Sequence, residues 1–176
     1  MNWEHAPALT YDGNLKFGFW GHTGTFTRFD GVTQRGAEGF YAILDQTLWQ
    51  PAKKEQKDDT KKAADNETDD RGLRAFLEYG RTDGKVLQVW QHVGGGLAWK
   101  GLLPKRADDV IGVSPQYAFL SGQAGSKYSD ELAVEGFYKA KLMPWVTLEP
   151  DLQFIQHPGG QYPNAVVGTL QLTLQL

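Results

Sequence analysis

The sequence predicts an all-β fold of antiparallel strands, on two observations. Helical periodicity is scarce, whereas short runs of alternating apolar and polar residues recur about eight times, each ended by Gly, Pro, Asp or Asn. The closing stretch, N-A-V-V-G-T-L-Q-L-T-L-Q-L from Asn164 to Leu176, sets Val166, Gly168, Leu170, Leu172, Leu174 and Leu176 against Thr169, Gln171, Thr173 and Gln175. A period of two belongs to a strand with an apolar medium on one face and a polar one on the other. At about 3.3 Å per residue, Ala165 to Leu176 spans roughly 40 Å, which suits a tilted strand crossing a bilayer. A long edge strand of a soluble β-sandwich has the same pattern, and this stretch alone leaves both open.

Composition narrows the class. The chain of 176 residues makes one domain, and its formal net charge of -3 gives no global field for nucleic acid or an anionic membrane surface. Cysteine is absent, which excludes disulfides, thiolate nucleophiles and Cys-zinc sites and agrees with passage through an oxidising compartment. A mean hydropathy of -0.47, with no long apolar run, excludes a helical membrane protein. It leaves a β-barrel open, because barrel strands are apolar on alternate residues only. The opening M-N-W-E-H-A-P-A-L-T has neither the basic nor the apolar segment of an export signal. An exported protein would then have lost its signal, or the chain would begin partway through a longer one.

Taken in order, the first strand is expected near Leu15–Phe29 after a lead-in over 1–14, with glycines and aromatics interleaved. The second, Gly39–Trp49, opposes Phe40, Ala42, Leu44 and Leu48 to Tyr41, Ile43, Asp45 and Thr47, and neither face is clean. From Pro51 to Asp70 the chain is mostly Lys, Asp and Glu, without aromatic or β-branched apolar residues, which predicts a long solvated loop. Asp65, Glu67 and Asp69 alternate as in a calcium loop, but Asp70 stands where that loop needs glycine. Gly72–Tyr79 places Arg74, Phe76 and Glu78 opposite an apolar stripe, so that face is wet. A less regular piece, Lys85–Val93, leads to G-G-G-L-A-W-K-G-L-L-P at Gly94–Pro104. Without G-K-[ST] and a following helix, its glycines read as strand or bend glycines rather than a phosphate loop. Lys105–Asp109 is a charged turn, and Val110–Leu120 a strand in which Pro115 predicts a bulge or break.

Ser121–Asp130 reads as a loop. Glu131–Leu142 follows, with Leu132, Val134, Gly136, Tyr138, Ala140 and Leu142 on one face and Glu131, Glu135, Lys139 and Lys141 among those on the other. Met143, Pro144 and Trp145 turn the chain into Val146–Ile155, and H-P-G-G-Q-Y-P-N precedes the closing strand. A tight turn at Pro144 set against long loops at Pro51–Asp70 and Ser121–Asp130 predicts the end-to-end asymmetry of a membrane barrel. Trp20, Trp49, Tyr79, Trp99, Tyr138 and Trp145 are candidates for interfacial girdles.

Several ordered motifs carry a family resemblance: W-G-H-T-G-T-F at Trp20–Phe26, G-F-Y-A-I-L-D-Q-T-L-W at Gly39–Trp49, G-G-G-L-A-W-K-G-L-L-P, the Pro144-Trp145 turn, P-D-L-Q-F at Pro150–Phe154 and H-P-G-G at His157–Gly160. From about Leu15 to its end the chain resembles the carbohydrate-selective porins of the OprB type. Gln171 stands where that family often carries Arg, and Leu176 where porins usually end in an aromatic. The resemblance implies an antiparallel transmembrane barrel of about sixteen strands, of which the eight runs here would be the C-terminal half. Residues 1–176 then form a single partial barrel domain. The implied function is passive diffusion of carbohydrate across the outer membrane of a Gram-negative bacterium. Its implied partners are the sugar, outer-membrane lipid, the barrel assembly machinery and further copies in a homo-oligomer, with no nucleic acid.

No catalysis, cofactor or metal is expected. His5, His22, His92 and His157 lie in separate segments without H-E-x-x-H spacing, and there is no G-x-S-x-G elbow. Glu149 and Asp151 share a strand face like a glycosidase pair, but lining a channel accounts for them more simply. A pore needs polar side chains that replace a sugar's waters and aromatic faces that stack on its C–H groups. Strand parity makes Arg74, Glu78, Lys100, Glu135, Lys139, Lys141 and Asp151 the lumen candidates. The competing readings are a self-contained eight-stranded barrel acting as anchor or adhesin, and a soluble ligand-binding sandwich.

Overall fold

The computed structural model describes residues 11–51 and 70–175. Its strands are β1 (Gly13–Thr27), β2 (Thr33–Trp49), β3 (Gly72–Thr82), β4 (Val89–Lys100), β5 (Val110–Leu120), β6 (Asp130–Met143), β7 (Val146–Gln156) and β8 (Ala165–Leu174). All eight lie in one antiparallel sheet whose spatial order is the order of the sequence. Strands run from 10 residues in β8 to 17 in β2, enough for the roughly 9–11 residues that a tilted strand needs to cross a bilayer. No helix among the described residues is long and apolar enough to cross a membrane.

The alternating runs of the sequence are these strands, with some boundaries moved. β1 begins at Gly13, inside the expected lead-in, and β2 begins at Thr33 rather than Gly39. The chain reverses there because Gly31 adopts φ 82° and its N–H donates to Arg28 O at 2.9 Å. Lys85–Val93 and Gly94–Pro104 contribute to one strand, β4, not to two pieces. Its three glycines make room across the sheet: a Cβ would lie 1.6 Å from Gln116 at Gly94, 2.8 Å from Leu77 at Gly95 and 2.5 Å from Phe76 at Gly96.

No bulge forms at Pro115. β5 keeps a single register against β6 from Val110↔Lys139 to Phe119↔Asp130. Against β4 the ladder lapses only between Gly94↔Gln116 and Leu97↔Val113, where the missing proline N–H costs no register. The register shifts instead fall near strand ends, at His22/Thr25, Thr47/Trp49, Val89/Gln91 and Lys141/Met143.

Register carries side-chain parity across the whole sheet. One face holds Leu15, Phe17 and Phe19 of β1, Leu44, Leu77, Leu97, Val113 and Val134 of the middle strands, and Leu152 and Leu170 of β7 and β8. It is uncovered: Phe19 is 84 % exposed, Leu15 71 % and Leu170 69 %, while the buried apolar side chains are Ala37, Leu120 and Ala140. Leaving a Leu or Phe in water forgoes about 1.5–3 kcal/mol, so this face is made for an apolar medium. The opposite face carries the charges.

Among the described residues the pairings run from β1 to β8 and none joins β8 back to β1. The sheet is therefore not a closed eight-stranded barrel, and with all eight strands in one sheet these residues do not form a two-sheet sandwich. The expected asymmetry of connectors is also absent. Residues 50–71 and the Pro144-Trp145 turn both lead from an even to an odd strand, so the longest and the shortest connectors share one end. Of the girdle candidates, Trp49 and Trp99 pack together at 6.1 Å on the apolar face at that end, and Tyr79 packs on Phe40 at 5.8 Å toward the other. Trp20 is a correction: it pairs with Gly39 and shares the polar face with Lys16. Asp65, Glu67, Asp69 and Leu176 lie outside the described residues.

Candidate functional site

The polar face is the site, and its membership follows from pairing. Arg74 faces Ala98 and Glu78 faces Gly94 between β3 and β4; Lys100 meets Val110, which meets Lys139 on β6. Glu135 pairs with Gln153, Phe137 with Asp151, and Lys141 with Thr147 on β7. All seven residues selected by parity thus point the same way. Lys16 and Asp45 belong with them through Asn14↔Asp45 and Lys16↔Ile43. So does Glu149, which faces Gln171.

Most of these charges are paired, either across strands or with a connector residue. Lys139 Nζ lies 3.0 Å from Glu149, Lys16 Nζ 3.1 Å from Asp45, His92 Nδ1 3.8 Å from Glu78 and Lys141 Nζ 4.0 Å from Asp108. Lys100 bonds to Asp70. Such half-exposed pairs are individually weak, about 0–1 kcal/mol each, and keep hydrogen-bonding capacity toward the open side of the sheet. Arg74 has no ion pair among the described residues. Both carboxylate oxygens of Asp151 are shielded from solvent, beside the Glu135 carboxylate.

Each end of the face is tied down. At the even-to-odd end, Asp109 is 4 % exposed and accepts hydrogen bonds from the Tyr138 hydroxyl, the Lys141 N–H at 3.0 Å and Arg106 Nε at 2.5 Å. Burial pushes its carboxyl up, but these three donors together hold it below the usual carboxylate value. At the other end four connectors interlock. Phe29 N–H donates to Lys85 O (3.0 Å) and Gln34 Nε2 to Asp83 (2.5 Å), joining 28–32 and the start of β2 to 83–88. Ser121 N–H donates to Gln88 O (2.7 Å), Gln88 Nε2 to Gly159 O (2.9 Å) and Tyr128 N–H to Gly160 O (2.9 Å), so 121–129 and 157–164 join the same rim. His157 stacks flat on Tyr128 at 3.7 Å. The Gln34 amide, with the Lys85 N–H, holds the Asp83 carboxyl below its usual value.

Parity found the candidates on β3, β4, β6 and β7 but missed Lys16 and Asp45, because β1 and β2 are ambiguous until Leu15 is set opposite Leu44. The rim and the Asp109 cluster had no sequence signal beyond charged or glycine-rich turns.

Two comparisons with known proteins bear on this arrangement. A family model, "Carbohydrate-selective porin, OprB family", matches residues 3–176. The high-pH structure of Pseudomonas putida OprB superposes with a TM-score of 0.75 at 18 % sequence identity, over 92 % of this chain and 44 % of that one. The chain therefore spans less than half the length of that porin. No curated protein matches. With its single meander of membrane-length strands, an apolar face opposite a charged one, and a family match along nearly its whole length, the chain belongs to the OprB family of carbohydrate-selective porins.

Proposed function

We propose that this chain supplies part of the wall of an outer-membrane pore through which carbohydrate diffuses passively, with its charged face lining the lumen and its apolar face against lipid. The single observation that carries this is the sorting of one sheet into two faces: Arg74, Glu78, Lys100, Glu135, Lys139, Lys141 and Asp151 on one, Phe19, Leu15 and Leu170 openly exposed on the other. No covalent chemistry is needed. A wall of weak ion pairs offers donors and acceptors that exchange for a sugar's waters without holding it. Further strands must pair with β1 and β8, because an unpaired edge in lipid costs several kcal/mol per backbone group.

Liposome swelling in isosmotic sugar, with the purified pore that holds these strands, tests the reading. Swelling in glucose beyond that of empty liposomes supports it; none overturns it, as does a chain that stays monomeric and soluble without detergent. Neutralising Glu135 and Lys139 together, as Glu135→Gln and Lys139→Met, changes interactions of about 0.5–1 kcal/mol and shifts relative sugar rates roughly two- to fivefold. Unchanged selectivity in the double variant removes these two residues from the lumen set.

A further inference from the structure

Several large side chains of the polar face lie over cross-strand glycines, and two of these rings are framed by charges. Phe76 on β3 lies over Gly96 of β4, with Cε1 2.5 Å from where a Cβ would stand, and Phe137 on β6 lies over Gly112 of β5, with Cε1 at 2.4 Å. Each ring occupies the space that the glycine leaves empty, so it lies along the wall instead of projecting away from it, and it is half-buried. The neighbours of the two rings match. Phe76 stands between Arg74 and Glu78 on its own strand, with Asp45 across on β2. Phe137 stands between Lys139 and Glu135, with Asp151 across on β7. β3 and β6 run in opposite directions, so in both places the cation lies toward the even-to-odd end and the glutamate toward the other.

We infer that Phe76 and Phe137 are two stacking stations for a pyranose, each a flat ring framed by one cation and two carboxylates. This rests on the porin reading above and names where in the lumen the sugar is touched. The chemistry fits a sugar ring closely. One face of a pyranose is C–H and stacks on an aromatic face, while its equatorial hydroxyls point outward to donors and acceptors in the ring plane. The frame has that scale: residues i±2 along a strand stand about 6.6 Å apart, and neighbouring strands about 4.8 Å. Beside Phe76 the wall opens into a recess of about 400 Å³ lined by Asn14, Asp45, Thr47, Gln50 and Arg74 among others. The charged frame is not an automatic result of an aromatic lying on glycine. Tyr41 lies on Gly18 in the same way, yet Gly39, Ile43 and Gly80 surround it and no charge does.

Saturation-transfer NMR on the detergent-solubilised pore tests this without depending on flux. Irradiating the aromatic protons should transfer saturation to the C–H protons of D-glucose but not to those of sorbitol, which has no ring to stack. The double variant Phe76→Leu/Phe137→Leu should weaken glucose binding roughly two- to tenfold. Gly96→Ala/Gly112→Ala, which keeps both rings but forces them off the wall, should weaken it likewise, while Tyr41→Leu should not. Glucose signals that are absent in the parent, or unchanged in the two double variants, overturn the stations. If liposomes still swell in glucose in that case, only the stations fail; if they do not, the porin reading fails with them.

Discussion

Asp109 is the residue on which the even-to-odd end of the polar face turns. Its three donors come from the connector before β5 and from β6, so it fixes the connector against the strand bearing Lys139 and Lys141. Replacing it with Ala leaves the Tyr138 hydroxyl and the Lys141 N–H without a partner and should cost about 2–4 kcal/mol, seen as a lower unfolding midpoint in detergent. Because its folded carboxyl titrates below the unfolded value of 3.8, its contribution is present above that pH and is lost as pH falls through the lower folded value. Acid unfolding of the parent below about pH 4 should therefore be steeper than that of Asp109→Asn. At this scale the sequence was readable for charge but not for burial. Asp109 looks like any turn carboxylate until Tyr138, far along the chain, is seen to reach it. Trp20 misleads in the opposite direction, since an aromatic near a strand end suits a girdle until its register with Gly39 turns it to the polar face.

Among the elements, alternation marked most of the strands, β1 and β4 least clearly, and long-range pairing decided the rest. Pro115 reads as a bulge or break because local propensity expects one there, and the Gly94–Gly96 triplet as strand or bend glycines; both sit inside regular strands. The glycines lie under cross-strand side chains, and the proline falls where the β4 ladder is already interrupted. Where the backbone does change register, at His22/Thr25, Gly36 stands nearby with φ 83°. Gly36→Ala should cost about 1–3 kcal/mol through strain in the left-handed region, whereas Gly168→Ala, with nothing within 4 Å and ordinary φ, should be close to neutral. Thermal melts of the two variants in detergent check the contrast. The rim at the odd-to-even end was hidden for a further reason. Its bonds run from backbone groups and amides of four connectors, and such partners have no periodicity to follow along a sequence.

For the molecule as a whole, the open edges at β1 and β8 govern behaviour outside lipid. A sheet with one apolar face uncovered and two long unpaired edges should associate strongly in water. Phase partitioning with a mild detergent should send the chain to the detergent phase, and diluting the detergent should bring association through strand edges; recovery in the aqueous phase as a monomer contradicts the two-faced sheet. The all-β class, the two-sided strands and the family were legible because period-two patterning and ordered motifs are local. The openness of the sheet was legible only through the family resemblance, because alternation specifies how a strand is faced but never how many neighbours it has. One consequence follows from the meander. Every strand touches only the strands before and after it in the chain, so a hairpin is the unit of growth. Adding or removing two adjoining strands leaves every other pairing, the inside-outside sense of each residue and the side on which the chain leaves the sheet as they were. Walls of this kind change circumference in steps of a hairpin, and a pore built from them alters its width by duplication or loss of such units rather than by redesign.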